Sequence, residues 1–170
     1  MASDISESLE GRRALVTGGT QGVGAAVATR LAATGATVLV TARRLPDGYT
    51  HPELFVAADV STPSGTDVVI GRVAEQFGFV DILVNTVGGC DAPTGGFAAL
   101  TDEQWLRDLN LNLLGAVRLD RGLVPVMIER RSGAVVHVTS IQRRKPQYES
   151  TLAYAAANLD DQVIELAGKP

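Results

Sequence analysis

The chain has 170 residues, 45% hydrophobic and 20% charged, which is enough to build one domain over residues 1–170 and excludes a disordered chain. A formal net charge of −4 argues against a basic surface for nucleic acid, so small molecules or other protein chains are the expected partners. A single cysteine cannot form an internal disulfide, and the polar start of the chain does not resemble a secretory signal. The sequence also lacks an apolar stretch of about 20 residues that could span a membrane. We therefore expect a cytoplasmic protein.

Short β-branched segments alternate with segments of helical period, a pattern typical of βαβ units that build a parallel sheet. Five strands are predicted, at 14–17, 37–41, 54–58, 81–85 and 134–139. Helices are predicted at about 22–34, 63–77, 101–132 and 150–167. Gly35 is placed to cap the first helix, and Thr101 with Gln104 resembles a capping box that opens the third.

A glycine-rich loop, TGGTQGVG, occupies 17–24 between the first strand and the first helix. Backbone amides and the positive helix end can face a pyrophosphate there, and the glycines keep side chains out of its way. The glycines also fit a tight turn with close helix packing and no ligand. The residues predicted to bind cofactor in this loop are Gly18, Thr20, Gln21, Gly22, Val23 and Gly24.

The spacing T-G-x-x-x-G-x-G resembles that of the short-chain dehydrogenase/reductase family, of classical type. Further matches over about 12–157 follow in the family's order: Asp59-Val60, Asn85-Thr86-Val87-Gly88, Asn112, Ser140 and Tyr154. The resemblance implies a doubly wound parallel sheet in three α/β/α layers, the Rossmann fold, with a nicotinamide cofactor at the carboxyl ends of the strands. Relatives continue into further strands, so the chain resembles a C-terminally truncated member that lacks the usual last strands.

Cofactor preference is read at the end of the second strand, where NAD-preferring Rossmann proteins place a carboxylate. Here Ala42 is followed by Arg43 and Arg44, which favour the 2′-phosphate of NADP(H), with NAD(H) still possible. The alternative is that both arginines form a solvated loop end. The resemblance also implies contacts to the adenine end and to the cofactor ribose, from Asp59, Val60, Asn85, Val87 and Gly88.

The resemblance implies that hydride passes between the nicotinamide and a carbonyl or alcohol carbon. Ser140 matches the family's substrate anchor, Tyr154 its proton donor and acceptor, and Asn112 its relay residue. The family's lysine, four residues after the tyrosine, is replaced by Asn158, which carries no charge. Oxidation, which needs the tyrosine as a base, should suffer most.

The three matched catalytic residues also fit ordinary roles in a fold. Ser140 can simply end a strand, Asn112 can satisfy buried backbone and Tyr154 can be an interface aromatic. The whole chain can be a catalytically impaired nucleotide-binding remnant, an oligomerising module, or a truncated or frame-shifted form of a longer enzyme. The basic segment 143–145 suits an anionic substrate or a solvated loop, and neither the two histidines nor Cys90 suggests a metal site.

Overall fold

The computed structural model describes residues 8–145, 147, 149, 151–158 and 163–165, with backbone only at 143 and at 163–165. The strands are β1 (Arg13–Thr17), β2 (Thr37–Ala42), β3 (Phe55–Ala57), β4 (Ile82–Asn85), β5 (Ala134–His137) and β6 (Val163–Glu165). The helices are α1 (Gly22–Ala33), α2 (Pro63–Gln76), α3 (Asp102–Leu109), α4 (Gly115–Arg130) and α5 (Leu152–Ala157). A π-turn, Asn110–Leu114, joins α3 to α4.

The strands form one sheet in the order β3-β2-β1-β4-β5-β6. The first five are parallel, and β6 is antiparallel to β5. The chain leaves β1 in one direction for β2 and β3, then returns to the other side of β1 for β4 and β5. This reversal opens a crevice at the carboxyl ends of β1 and β4, where ligands bind in doubly wound sheets. The predicted Rossmann architecture is confirmed.

Alternation along the strands explains the two apolar layers, because successive side chains point to opposite faces. Ala14 and Val16 of β1 are buried on the face against which Val27 and Leu31 of α1 pack, partly buried. Leu15, between them, belongs to the opposite cluster. That cluster is completed by side chains of β2, α2 and α4 that include Leu39, Val69, Val73, Leu119, Leu123 and Met127. The sheet therefore has helices on both faces.

Helix ends follow the local signals in the sequence. Gly35, with φ +100°, closes α1, and the Oγ1 of Thr101 accepts a hydrogen bond from the Gln104 amide at 3.4 Å. The third predicted helix differs, because the π-turn interrupts it between α3 and α4. In the described part of the chain, no helix combines the length and apolarity needed to cross a membrane.

The last predicted helix, at 150–167, is wrong over much of its length. α5 ends at Ala157, where Asn158 leaves the helical conformation with ψ 44°. Val163 to Glu165 then pair with β5 as the sixth strand. Val163 and Ile164 are β-branched, which favours a strand wherever a free sheet edge offers hydrogen bonds. Helical spacing of apolar residues does not reveal such an edge.

Candidate functional site

The glycine loop after β1 is tied to both neighbouring strands. Its Gly18 amide donates to the Thr41 carbonyl at the end of β2, at 2.8 Å. Thr17 is buried, and its Oγ1 accepts the Thr86 amide at 3.0 Å. The Thr86 hydroxyl in turn donates to the Thr17 carbonyl. Thr86, which the sequence placed in the motif 85–88 without a contact of its own, therefore joins this loop to the end of β4.

The glycines of the loop are required for different reasons. Gly18 has φ +65°, a conformation that disfavours a side chain. A Cβ at Gly24 would lie 2.3 Å from the Gly18 carbonyl oxygen and 2.6 Å from the Thr86 Oγ1, so α1 packs directly on the loop. Gly22 has φ +54°, and an added Cβ there would meet nothing within 4 Å. The loop therefore packs closely against its surroundings at Gly24 but leaves open space at Gly22.

The N-terminus of α1 is left without a side-chain cap. Gln21, at the cap position, is extended and makes no capping hydrogen bond, and the first turn carries no acidic residue. In contrast, Thr62 caps α2 by accepting the Gly65 amide, and Thr101 caps α3. The amides and the positive end of α1 are therefore available to an anion at the glycine loop.

A cleft of about 590 Å³ runs over the carboxyl ends of the strands. Most of the predicted cofactor residues line it: Gly18, Thr20, Gln21, Gly22, Val23, Gly24, Arg43, Asp59, Val60, Val87 and Gly88. Two predicted residues do not line it, since Arg44 is exposed outside the cleft and Asn85 lies behind it. The other lining residues, which the sequence did not assign as cofactor contacts, are Thr41, Ala42, Ala58, Thr86, Gly89, Cys90, Asp91, Leu111 and Val138.

Several of the missed residues had a usable signal, because they directly precede or follow predicted ones at a strand end. Ala42 precedes Arg43, and Ala58 precedes Asp59. Leu111 had none, because it reaches the cleft only through the packing of the long helix, whereas Gly89, Cys90 and Asp91 belong to the Gly- and Pro-bearing loop 88–96 that the sequence places on the substrate side. Asp59 after β3 and Asp91 after β4 add negative charge on opposite sides of the cleft, whereas Arg43 supplies a positive charge at the edge near β2.

Asn112 holds the loop after β4 by its backbone. Its Oδ1 accepts the Gly89 amide at 2.8 Å, and its Nδ2 donates to the Gly89 carbonyl at 3.0 Å. A Cβ at Gly88 would lie 3.0 Å from the same Oδ1. The predicted relay residue therefore shapes the cleft wall through Gly88 and Gly89.

Behind the cleft, Asn85 belongs to a polar cluster that lines a second cavity of about 180 Å³. Its Nδ2 donates to Asp120 Oδ1 at 3.1 Å, and Asp120 Oδ2 lies 3.2 Å from His137 Nε2. Asn112 and Asn158 line the same cavity. Among the described residues, no three His, Cys, Asp or Glu side chains are grouped to hold a metal ion.

The predicted catalytic serine and tyrosine lie beyond the fifth strand. Ser140 opens a short turn, and its Oγ accepts the Gln142 amide at 3.3 Å. Tyr154 is half-buried in α5, which packs against α3 and the turn after Ser140. Neither side chain lines the cleft, although Val138, two residues before Ser140, does. Asn158 is buried, and its Nδ2 donates to the Tyr154 carbonyl at 2.7 Å.

Asp108 of α3 is a buried carboxyl that the sequence did not single out. It is 1% exposed, and neither of its carboxyl oxygens has a hydrogen-bond partner among the described residues. Burial, and then the negative charge of Asp91, raise the pKa of the Asp108 carboxyl above its usual value, while Arg107 opposes the shift. The protonated form is therefore favoured more in the folded chain than in water.

The cleft fits a dinucleotide on three observations. Gly22 presents open space at the end of a helix that lacks a side-chain cap. The groove continues from there to Asp59 and Val60 on one side and to Gly88 and Gly89 on the other. Ala42 and Arg43, at the edge, present a cation and no carboxylate.

Known proteins share this architecture. The chain is 37% identical over 165 residues to a Streptomyces violaceoruber protein assigned as ketoacyl reductase 2 of the granaticin polyketide synthase, covering 93% of this chain and 65% of that one. The structure of L-sorbose reductase from Gluconobacter frateurii with NADPH and L-sorbose superposes with a TM-score of 0.80 at 33% identity, covering 89% and 60% of the two chains. The structure of an NADH-dependent reductase, A1-R′, in complex with NAD superposes with a TM-score of 0.81 at 25% identity, covering 89% of this chain and 68% of that one.

The chain thus spans somewhat less than two thirds of the first two of these proteins. The family model for short chain dehydrogenases matches residues 12–159, which include the glycine loop, the cleft and the segment from Ser140 to Asn158. The chain therefore belongs to the short-chain dehydrogenase family of oxidoreductases.

Proposed function

We propose that the protein is an NADP(H)-dependent oxidoreductase that interconverts a carbonyl and an alcohol on a small molecule. The observation that carries the proposal is the continuous cleft from the uncapped N-terminus of α1 to Arg43 at the end of β2. In this assignment the loop amides bind the pyrophosphate, while Asp59 and Val60 contact the adenine end.

The preference for NADP(H) rests on charge. Ala42 has no carboxylate to repel a 2′-phosphate or to hold a ribose hydroxyl, and Arg43 can donate charge-assisted hydrogen bonds to the phosphate. Arg43 lines the cleft and Arg44 does not, so we assign the discrimination to Arg43. The relatives include complexes with NADPH and with NAD, which makes a direct comparison of the two cofactors necessary.

The nicotinamide, when bound, supplies or accepts the hydride. We assign Ser140 to hold the substrate oxygen and Tyr154 to donate a proton to it during reduction. Asn112 keeps Gly88 and Gly89 in place, which fixes the wall beside the reacting groups. Asn158 provides no positive charge beside Tyr154, so we expect reduction to be retained better than oxidation.

The first experiment is a fluorescence titration of the 170-residue chain with NADPH and with NADH. We expect saturable binding that favours NADPH. Arg43→Ala should remove most of this preference. It should lower the affinity for NADPH by about tenfold or more while leaving the affinity for NADH nearly unchanged. Arg44→Ala is the matched control, because Arg44 lies outside the cleft. An unchanged preference in Arg43→Ala would refute our assignment.

The second experiment tests turnover with NADPH and a panel of ketones and aldehydes, including ketoacyl thioesters and ketoses. Tyr154→Phe should abolish reduction without weakening NADPH binding, because it removes only the proton donor. Equal rates for the wild-type chain and Tyr154→Phe would show that Tyr154 is not the acid.

A second candidate is a nucleotide-binding protein without turnover. It is favoured by Asn158, whose buried amide is engaged with the Tyr154 carbonyl and brings no cation to the tyrosine. Tight NADPH binding with no reduction of any compound in the panel would select this function. A stable oligomer that ignores nucleotides would instead select an interaction module.

A further inference from the structure

The start of α4 is connected by side chains to the loop after β3. Arg118, on the first turn of α4, donates from Nη1 to the Ser61 carbonyl at 3.2 Å. Its Nη2 donates to Asn110 Oδ1 at 2.7 Å. Asn110 is itself fixed, because its Nδ2 donates to the Leu106 carbonyl at 2.8 Å. The half-buried guanidinium therefore bridges the π-turn and the segment 59–61.

That segment forms the adenine-side wall of the cleft. Asp59 and Val60 line it, and Asp59 Oδ1 accepts both the Ser61 amide at 3.0 Å and the Ser61 hydroxyl at 2.7 Å. A Cβ at Gly115 would lie 2.7 Å from the Val60 carbonyl oxygen, so the first residue of α4 packs directly on this wall. A displacement of Ser61 would therefore move Asp59 with it.

The same π-turn reaches the other side of the cleft through Asn112, which holds Gly89. Residues two apart on a helical turn point in nearly opposite directions. Asn110 and Asn112 therefore extend toward different walls of the cleft. Asn110 and Arg118 contact the adenine side, and Asn112 contacts the loop after β4.

We propose that Arg118 is a positioning residue for the adenosine half of the dinucleotide. Arg118 does not itself line the cleft. It acts by holding the Ser61 carbonyl and, through Ser61, the Asp59 carboxylate. The inference rests on the proposed nucleotide-binding function and goes beyond it by assigning affinity for one half of the ligand to a residue behind the wall.

The test measures the affinities of adenosine 2′,5′-bisphosphate, reduced nicotinamide mononucleotide and NADPH. Arg118→Met keeps the aliphatic stem and removes both hydrogen bonds. We expect it to weaken the bisphosphate and NADPH by about tenfold, and the mononucleotide by less than about twofold. Arg118→Lys, which has one ammonium for two acceptors, should give an intermediate loss. Asn112→Ala should show the opposite selectivity.

Arg72→Met is the matched control, because the Arg72 guanidinium donates to Gln76 one turn away on α2, at 3.1 Å, and among the described residues it makes no other hydrogen bond. It should change no affinity. Equal weakening of both half-ligands by Arg118→Met would indicate general destabilisation and overturn the proposal, as would unchanged affinity for all three ligands. If the wild-type chain binds neither NADPH nor the bisphosphate, the proposed function fails, and this inference fails with it.

A second readout needs no ligand. Amide hydrogen exchange at Ser61 should be faster in Arg118→Met than in the wild-type chain, because the Ser61 amide is held by the Asp59 carboxylate. Unchanged exchange at Ser61 would overturn the proposal even if the affinities changed.

Discussion

Asn158 donates its side-chain amide to the backbone carbonyl of Tyr154, one helical turn earlier, at 2.7 Å. This bond satisfies one of the open carbonyls at the end of α5. The residue thus acts on the backbone of the helix and supplies no charge to the tyrosine hydroxyl. It stands at the position where the resemblance to the family implies a lysine.

We predict that Asn158→Lys by itself restores little activity. A lysine adds the charge, but it loses the bond that ends α5, and the match to the family ends at residue 159. The rate of NADPH-dependent carbonyl reduction should rise by less than about tenfold. A well-placed cation can lower the pKa of a tyrosine by roughly three units, which would permit a much larger gain. A gain of several hundredfold over Asn158→Ala would contradict this prediction.

Gly24→Ala should abolish nucleotide binding and destabilise the fold. Its Cβ would meet the Gly18 carbonyl at 2.3 Å, so the glycine loop or α1 has to move. The control is Gly71→Ala in α2, where an added Cβ meets nothing within 4 Å. That change should stabilise the chain slightly, by about 0.5 to 1 kcal/mol. Urea unfolding and NADPH titration check both variants, and normal binding by Gly24→Ala would contradict the assigned packing.

Asp81 should be a main source of stability at the other end of the sheet. It is buried, it lies 3.4 Å from both Arg12 and Arg130, and it accepts the Arg13 amide at 3.0 Å. Asp81→Ala leaves these donors unpaired, at a cost of about 2 to 3 kcal/mol, reduced because Arg12 is half exposed. Asp67→Ala, on the exposed face of α2, should cost less than about 0.5 kcal/mol. Equal losses of unfolding free energy in the two variants would contradict the prediction.

Asp108 should make the chain less stable as the pH rises. Because its pKa is raised in the folded state, the folded chain retains the proton at pH values where the unfolded chain has lost it. The penalty fades as the pH falls below about 4, where the unfolded chain also becomes protonated, and it grows with rising pH until the pH passes the folded pKa. Asp108→Asn should therefore stabilise the chain more at about pH 8 than at about pH 4.5. A pH-independent difference in urea unfolding, like that expected for Asp67→Asn, would refute this.

The parallel core was predictable because its signals are local. β1 and β2 are short segments with β-branched residues next to glycine, and the glycine-rich loop at 17–24 predicts the turn into α1. The end of α5 was not predictable, because Leu159, Val163 and Ile164 continue a helical spacing. What decides the outcome for 163–165 is pairing with the free edge of β5, which is a non-local gain.

The site divides along the same line. Gly18, Arg43 and Asp59 lie within two residues of the ends of predicted strands, so their meeting at one edge follows from the topology. Thr86 was missed because its partner, Thr17, is 69 residues away, and Arg118 was missed because Ser61 is 57 residues away. Hydrogen bonds between distant segments leave no periodicity in one sequence.

The arrangement of strand lengths has a consequence for association between molecules. The two outermost strands, β3 and β6, are three residues each, whereas β1 and β2, inside the sheet, have five and six. Long unpaired strands at a sheet boundary are templates for strand addition and fibril growth. Within the part of the chain that the structure describes, this sheet presents only a few open amides and carbonyls at either boundary, so copies of the chain that associate should meet through helix surfaces and not by extending the sheet.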